Sequence, residues 1–244
     1  MNKLLRVSAL VIGMLVTGAS LVSAASVNLA WNDCIGDGGV QNKTFACASN
    51  TGNHDLYGSF VPPAGITAMT GLEAVLDLLT ADPAFTNWWR MFSAGSCRQS
   101  SLSVNFFPGP NMANCVDYWQ SQASGGIGAY TVGFGGTTNR ARILLVGATA
   151  PANATSVDPN LEYYGFTLRI NSAKTVGTGA CTGCTDKVCI VLNSINLTQP
   201  VGVGDQKITS GVNQIATWQS ENSSTCLPVP ARNRTWGQVK SLYR

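Results

Sequence analysis

Charge is scarce in this chain: Asp, Glu, Lys and Arg make up 11% of its 244 residues, where about 25% is usual. A charge-rich disordered chain and a coiled coil are excluded by that shortage. Histidine is nearly absent as well, with His54 alone. There is no H-E-x-x-H pair and no G-x-S-x-G elbow, so the common hydrolase motifs are missing. An excess of one sign is also lacking. The formal charge is +3, and setting aside Lys3 and Arg6 in the leader described below leaves +1. That is too little to neutralise a row of phosphates, and nucleic acid is not an expected partner. Beyond the first two dozen residues no apolar run reaches the ~20 residues a spanning helix needs. No metal and no cofactor are expected.

What is present begins with that leader. Lys3 and Arg6 form a basic start, Val7 to Val22 is apolar or small, and Val22-Ser23-Ala24 supplies the small residues that a signal peptidase reads. Residues 1–24 are therefore expected to be a signal peptide cleaved before Ala25. After cleavage no membrane span remains, and the protein is expected to be secreted or held at the cell surface.

Eight cysteines follow: Cys34, Cys47, Cys97, Cys115, Cys181, Cys184, Cys189 and Cys226. An even number in an exported chain reads as four disulfides. Closeness along the chain predicts Cys34–Cys47 and Cys97–Cys115; Cys181 and Cys189 flank a turn region in which a further pair is expected, with Cys226 joined to whichever of Cys181, Cys184 and Cys189 remains. A zinc site is the competing reading of Cys181-x2-Cys184-x4-Cys189, completed by Cys226 or His54. Export favours oxidation over thiolate ligands.

Short apolar stretches alternate with Gly, Pro, Asn and Ser, the rhythm of an all-β domain. Strands are expected at 27–31, 56–61, 102–107, 130–134, 142–147, 163–170, 189–197 and 215–218. Over 163–170, Tyr164, Phe166, Leu168 and Ile170 alternate with Tyr163, Gly165, Thr167 and Arg169, which is period two. Gly71–Leu79 (GLEAVLDLL) fits a helix by propensity. Its Pro-bounded setting among strands nevertheless predicts a strand. Asp117–Gln122 is expected to form a short helical turn. The fold expected is an antiparallel β-sandwich, jelly-roll or immunoglobulin/cohesin-like, braced by disulfides and spanning 25–219. Residues 220–244 read as a linker and a basic C-terminal segment, with Trp236, Val239 and Tyr243 at helical spacing. An interaction or sorting role for that segment is weighed against a frayed terminus.

Several segments carry a resemblance: LAWNDCIGDGG, GLEAVLDL, SCRQSSLS, ASGGIGAY, CTGC with VCIVLNSINLTQP, and TWGQVKSLYR. Together they resemble a group of exported bacterial β proteins with disulfides. The strand rhythm around GLEAVLDL is similar to that of cohesin and carbohydrate-binding sandwiches. Neither resemblance implies an activity or a functional residue, because fold analogy says little about function.

Candidate sites are few. Any Ser–His–Asp arrangement would need His54, and a loop His beside Asp55 is expected to be merely solvated. Glu73 and Asp77 form the nearest carboxylate couple, yet on a strand they stand about 13 Å apart. Asn32, Asp33, Asp37 and Gly38 crowd oxygen ligands into a turn that could hold calcium, as could Asp205. Asx residues bonding their own backbone are the simpler account. Sequons at Asn42, Asn153, Asn196, Asn222 and Asn233 matter only where the source glycosylates them.

Aromatic pairs are the clearest pointer to binding. Trp88, Trp89, Tyr118 and Trp119 are the ligand-contact candidates, with Tyr163-Tyr164 a further pair. Neighbours on a strand face opposite ways, so one ring of each pair is expected to be exposed, ready to stack on a sugar or partner. The function expected is a non-enzymatic structural or adhesion module of the cell surface or extracellular matrix. Its partners would be a surface glycan, a protein, or further copies of itself. A carbohydrate-binding module is the first alternative, and a hydrolase with an unrecognised carboxylate pair the second.

Overall fold

A computed structural model describes residues 24–108, 115–220 and 226. The expected leader and nearly all of the basic C-terminal segment lie outside these residues. Twelve strands are seen among the described residues: β1 (Ser26–Trp31), β2 (Asn42–Lys43), β3 (Asn53–Val61), β4 (Gly71–Thr80), β5 (Leu102–Asn105), β6 (Val116–Asp117), β7 (Ser124–Val132), β8 (Arg140–Ala148), β9 (Tyr163–Asn171), β10 (Val188–Thr198), β11 (Gln206–Ile208) and β12 (Ile215–Trp218). They form a β-sandwich. One sheet runs β1-β3-β9-β5, with β6 beside β9. The other runs β2-β12-β10-β4-β8-β7, with β11 beside β10. Pairing is antiparallel except for two short parallel additions, β2 on β12 and β6 on β9.

The ambiguous segment GLEAVLDLL is a strand, as its setting predicted. It forms β4, paired along its length with β8 on one side and β10 on the other. Leu72, Ala74, Leu76 and Leu78 face the core, while Glu73, Val75, Asp77 and Leu79 face outward. Two flanking strands supply backbone partners along its length, which outweighs the helix propensity of Leu, Glu and Ala. Asp117–Gln122 does not form the expected helical turn. Gln120 and Ser121 both take positive φ, 46° and 63°, and a right-handed helix cannot pass through such a pair.

The two faces close on each other at both flanks. On one flank Trp31 of β1 meets Trp218 of β12, with ring centroids 5.9 Å apart. On the other, the Phe106 ring enters a hollow made by Gly125 and Gly147, which pair across β7 and β8. A Cβ on Gly147 would lie 2.3 Å from that ring and one on Gly125 2.6 Å from it, so both positions require glycine.

The period-two reading of 163–170 needs one correction. The register of β3 on β9 passes from Gly58–Phe166 to Ser59–Tyr164, which leaves Gly165 as an extra residue. That bulge reverses the alternation beyond it. Tyr163 stacks on core Phe60, and Tyr164 instead meets Tyr57 and donates its hydroxyl to the Asn105 carbonyl.

Four disulfides cross-link the described residues: Cys34–Cys115, Cys47–Cys184, Cys97–Cys181 and Cys189–Cys226. Neither neighbour pair predicted from the sequence forms, nor does Cys181–Cys189. The three cysteines of the zinc-like spacing each join a different distant partner. Pairing follows which loops converge in space. The turn after β1 meets the segment entering β6, where Asp37 accepts the Cys115 backbone N–H at 2.8 Å. The loop after β2 likewise meets the loop entering β10.

Candidate functional site

At one end of the sandwich the chain between β4 and β5 makes a 3-10 turn at Asn87–Trp89 and then a loop through Ser93–Cys97. Trp88 and Trp89 are both buried in this turn. The expectation of one inward and one outward ring presumed a strand. In a 3-10 turn tucked over the end of the sandwich, both indoles point inward. Trp88 and Trp89 join Trp31, Phe45, His54 and Trp218 in one ring cluster, with Trp88 5.0 Å and Trp89 5.5 Å from Trp218. Their N–H groups are engaged, Trp88 on Thr175 Oγ1 and Trp89 on the Gly183 carbonyl, both at 3.1 Å.

The second aromatic pair is also occupied. Trp119 is buried and donates to the Gly165 carbonyl at 2.9 Å. Half-buried Tyr118 donates its hydroxyl to the Met69 carbonyl and accepts the Thr155 N–H at 3.0 Å. All four aromatic candidates therefore sit in the packing, with their polar atoms hydrogen-bonded to the protein, as buried Trp and Tyr require.

Arg98, which no motif in the sequence marks, organises this end. Its guanidinium lies 3.5 Å from the Trp88 ring centroid, in cation–π contact. Nε donates to the Ala173 carbonyl at 2.9 Å, Nη1 to the Trp88 carbonyl at 2.9 Å, and Nη2 to the Asn171 carbonyl. Only 2% of the residue is exposed. Burial pushes its pKa down to about 10, still well above neutrality, so the charge persists. Backbone carbonyls and a π face balance it where a carboxylate would ordinarily stand. The signal available in the sequence was Cys97-Arg98 following Trp88-Trp89-Arg90, a cation beside an aromatic pair.

Beside the Asn87–Trp89 turn lies a pocket of about 740 Å³, whose polar lining is Asn87, Arg90, Ser93, Ser96, Tyr130 and Thr131. The Cys97–Cys181 bond anchors the loop that forms one wall. Tyr130 of β7 forms another, its hydroxyl donating to the Trp89 carbonyl. Burial raises the Tyr130 pKa, while Arg98 and Arg90 act to lower it. Arg90 is exposed and makes no ion pair among the described residues. The Ser96 hydroxyl is buried without a hydrogen-bond partner among them. Phe92, next to Arg90 but one in sequence, is exposed and takes φ 71°, an outlying conformation for a bulky residue of the kind that gathers at binding sites.

The other candidates are dispersed. Glu73 is exposed, whereas Asp77 is buried and gripped by Arg142 through two bonds of 2.6 and 2.8 Å. Phe134 covers that guanidinium at 3.8 Å. The two carboxylates share the outer face without converging. Asp33 accepts the Cys34 N–H at 2.8 Å, and Asp205 accepts the Gln199 N–H at 3.2 Å. These are the backbone-capping roles of Asx residues. Among the described residues no three His, Cys, Asp or Glu side chains gather as metal ligands.

His54 is not a solvated loop residue but the second residue of β3. Its ring packs 4.5 Å from Phe45 and 5.0 Å from Trp218, and Nε2 lies 3.0 Å from Ser172 Oγ. Asp55 is engaged by Arg169 through two bonds of 2.7 and 2.8 Å. Burial first, then Lys43 and Arg98, lowers the His54 pKa below 6.5. The unfolded chain therefore takes up this proton before the folded one does. Stability tied to neutral His54 is complete above pH 6.5 and is lost as pH falls through the lowered value. Melting temperature measured from pH 7 down to pH 5 should fall more steeply in the unaltered protein than in His54→Gln. Parallel curves would show that His54 contributes nothing to this slope.

No family model matches the chain, and no curated protein matches it. Among solved structures it is similar to a cohesin module from a Clostridium perfringens ATCC13124 family 33 glycoside hydrolase. That module is 6% identical, with 79% of this chain and 92% of that chain covered, at a TM-score of 0.36. The seventh ScaB type I cohesin from Pseudobacteroides cellulosolvens is 9% identical, with 79% and 90% covered, at a TM-score of 0.31.

Proposed function

We propose that this protein is an exported, non-catalytic adhesion or structural module of the cell surface or extracellular matrix. The observation that carries the reading is how its chemistry-bearing side chains are used. Eight cysteines are joined in pairs, Asp77 is bound to Arg142, Asp55 to Arg169, and His54 is packed among rings. These groups hold two sheets and their loops in one cross-linked frame. Such a frame suits an oxidising compartment that preserves disulfides. A surface with few charges repels neighbouring chains weakly and tolerates close packing against them. No helix among the described residues is long and apolar enough to cross a membrane.

Retention tests the reading directly. Fluorescently labelled protein should stay on washed source cells or their matrix, or self-associate in sedimentation at high concentration. A protein that remains monomeric and washes away completely would overturn it. The pocket favours a second reading, a carbohydrate-binding module, since its volume falls within the ~300–1,000 Å³ of small-ligand sites and its lining is rich in hydroxyls.

A further inference from the structure

We propose that the pocket between the Asn87–Trp89 turn, the Ser93–Cys97 loop and β7 binds a carboxylated sugar, with Arg90 receiving the carboxylate. The inference deepens the carbohydrate reading and rests on it for the sugar, while the charge preference stands on the pocket itself. Among the described residues Arg90 is the only lining residue charged at neutral pH, and no acid lines the pocket. A planar guanidinium matches a carboxylate with two parallel hydrogen bonds. Arg98, buried next to the Trp88 ring, holds the Trp88 carbonyl of the turn that bounds the pocket.

The rest of the lining suits a polyol. Asn87, Ser93 and Thr131 offer amide and hydroxyl groups. The walls are fixed before binding. Arg98 bonds the Trp88 carbonyl on one side of the loop and those of Asn171 and Ala173 on the other, and Cys97–Cys181 holds the loop's end. Preorganised walls lower the ordering cost of association.

The experiment is calorimetric titration of the full chain with sodium glucuronate, glucose and sodium acetate, alongside an oligomer of glucuronate. Glucuronate is expected to bind at least about tenfold more tightly than glucose or acetate, and more weakly as NaCl is raised. Arg90→Gln should remove that advantage without changing the melting temperature, because Arg90 is exposed. In the unaltered protein the Arg90 Nε resonance should shift on titration, a readout independent of any variant. An oligomer that outbinds the monomer points to a polysaccharide as the source, and equal affinities point to a free sugar acid; both support the proposal. Equal binding of glucose and glucuronate would overturn the acid preference and leave the carbohydrate reading standing. Acetate matching glucuronate would overturn the sugar, and no binding of any probe would overturn both. The adhesion reading has its own retention test, unaffected by either result.

Discussion

Arg98→Met is expected to destabilise the protein by about 4–6 kcal/mol, a loss large against the 5–15 kcal/mol typical of a whole domain. The substitution leaves three carbonyls, those of Trp88, Asn171 and Ala173, without the donor that now satisfies them. A buried unsatisfied acceptor costs about 1–3 kcal/mol. The Trp88 ring also loses its cation, and methionine cannot replace the fork. Arg98→Lys should fall between the two, because an ammonium keeps the charge but cannot reach three carbonyls from one plane or stack on the indole. Denaturant unfolding gives the magnitude. Tryptophan fluorescence reports the locality, since Trp88, Trp89 and Trp218 share the cluster. A loss below about 1 kcal/mol in Arg98→Met would show that water replaces the guanidinium, and that Arg98 is not the organiser of this end.

Replacing Cys47 and Cys184 together by alanine should lower the melting temperature by about 10–20 °C. The bond closes 137 residues of chain. On the chain-entropy model a loop of that length stabilises by about 5 kcal/mol, and each kcal/mol is worth about 2–4 °C in a domain of this size. Local geometry adds to the effect. Gln219 donates to the Phe45 carbonyl at 2.9 Å and to the Cys184 carbonyl at 3.1 Å, and Trp218 donates to that same Cys184 carbonyl at 2.7 Å. Both loops thus meet over the end of β12 beside the ring cluster. Cys189–Cys226 closes only 37 residues, so its removal should cost about 1 kcal/mol less. Scanning calorimetry of both double variants under non-reducing conditions decides the matter. The reverse order of stabilities would mean that native contacts, rather than entropy of the unfolded chain, set the value of these bonds.

Which features were legible in the sequence follows from how local their causes are. Ile215–Trp218 appears with the bounds its residues predicted, and β1, β8 and β10 with bounds extended by a residue or two, because β-branched and aromatic runs end at turn residues. GLEAVLDLL was readable as a strand only through its neighbours, and the structure shows why: β8 and β10 bond it from both sides. The Gly165 bulge was not readable, since one extra residue changes facing without changing composition. The pocket was not legible for a related reason: the rings of Trp88 and Trp89 are buried beneath it, while Asn87 and Arg90 on either side of them reach its surface.

The chain by itself determined a β-sandwich braced by disulfides, because strand periodicity, turn punctuation and an even cysteine number are properties of short stretches and of totals. Only the tertiary structure decided which cysteines meet, which way Tyr163 and Tyr164 face, and which cation stands buried while another stands free. Those outcomes depend on which loops arrive at the same end of the two sheets. Residues as far apart as Cys47 and Cys184 become neighbours there, a nearness set by packing the whole core at once and written in no single segment.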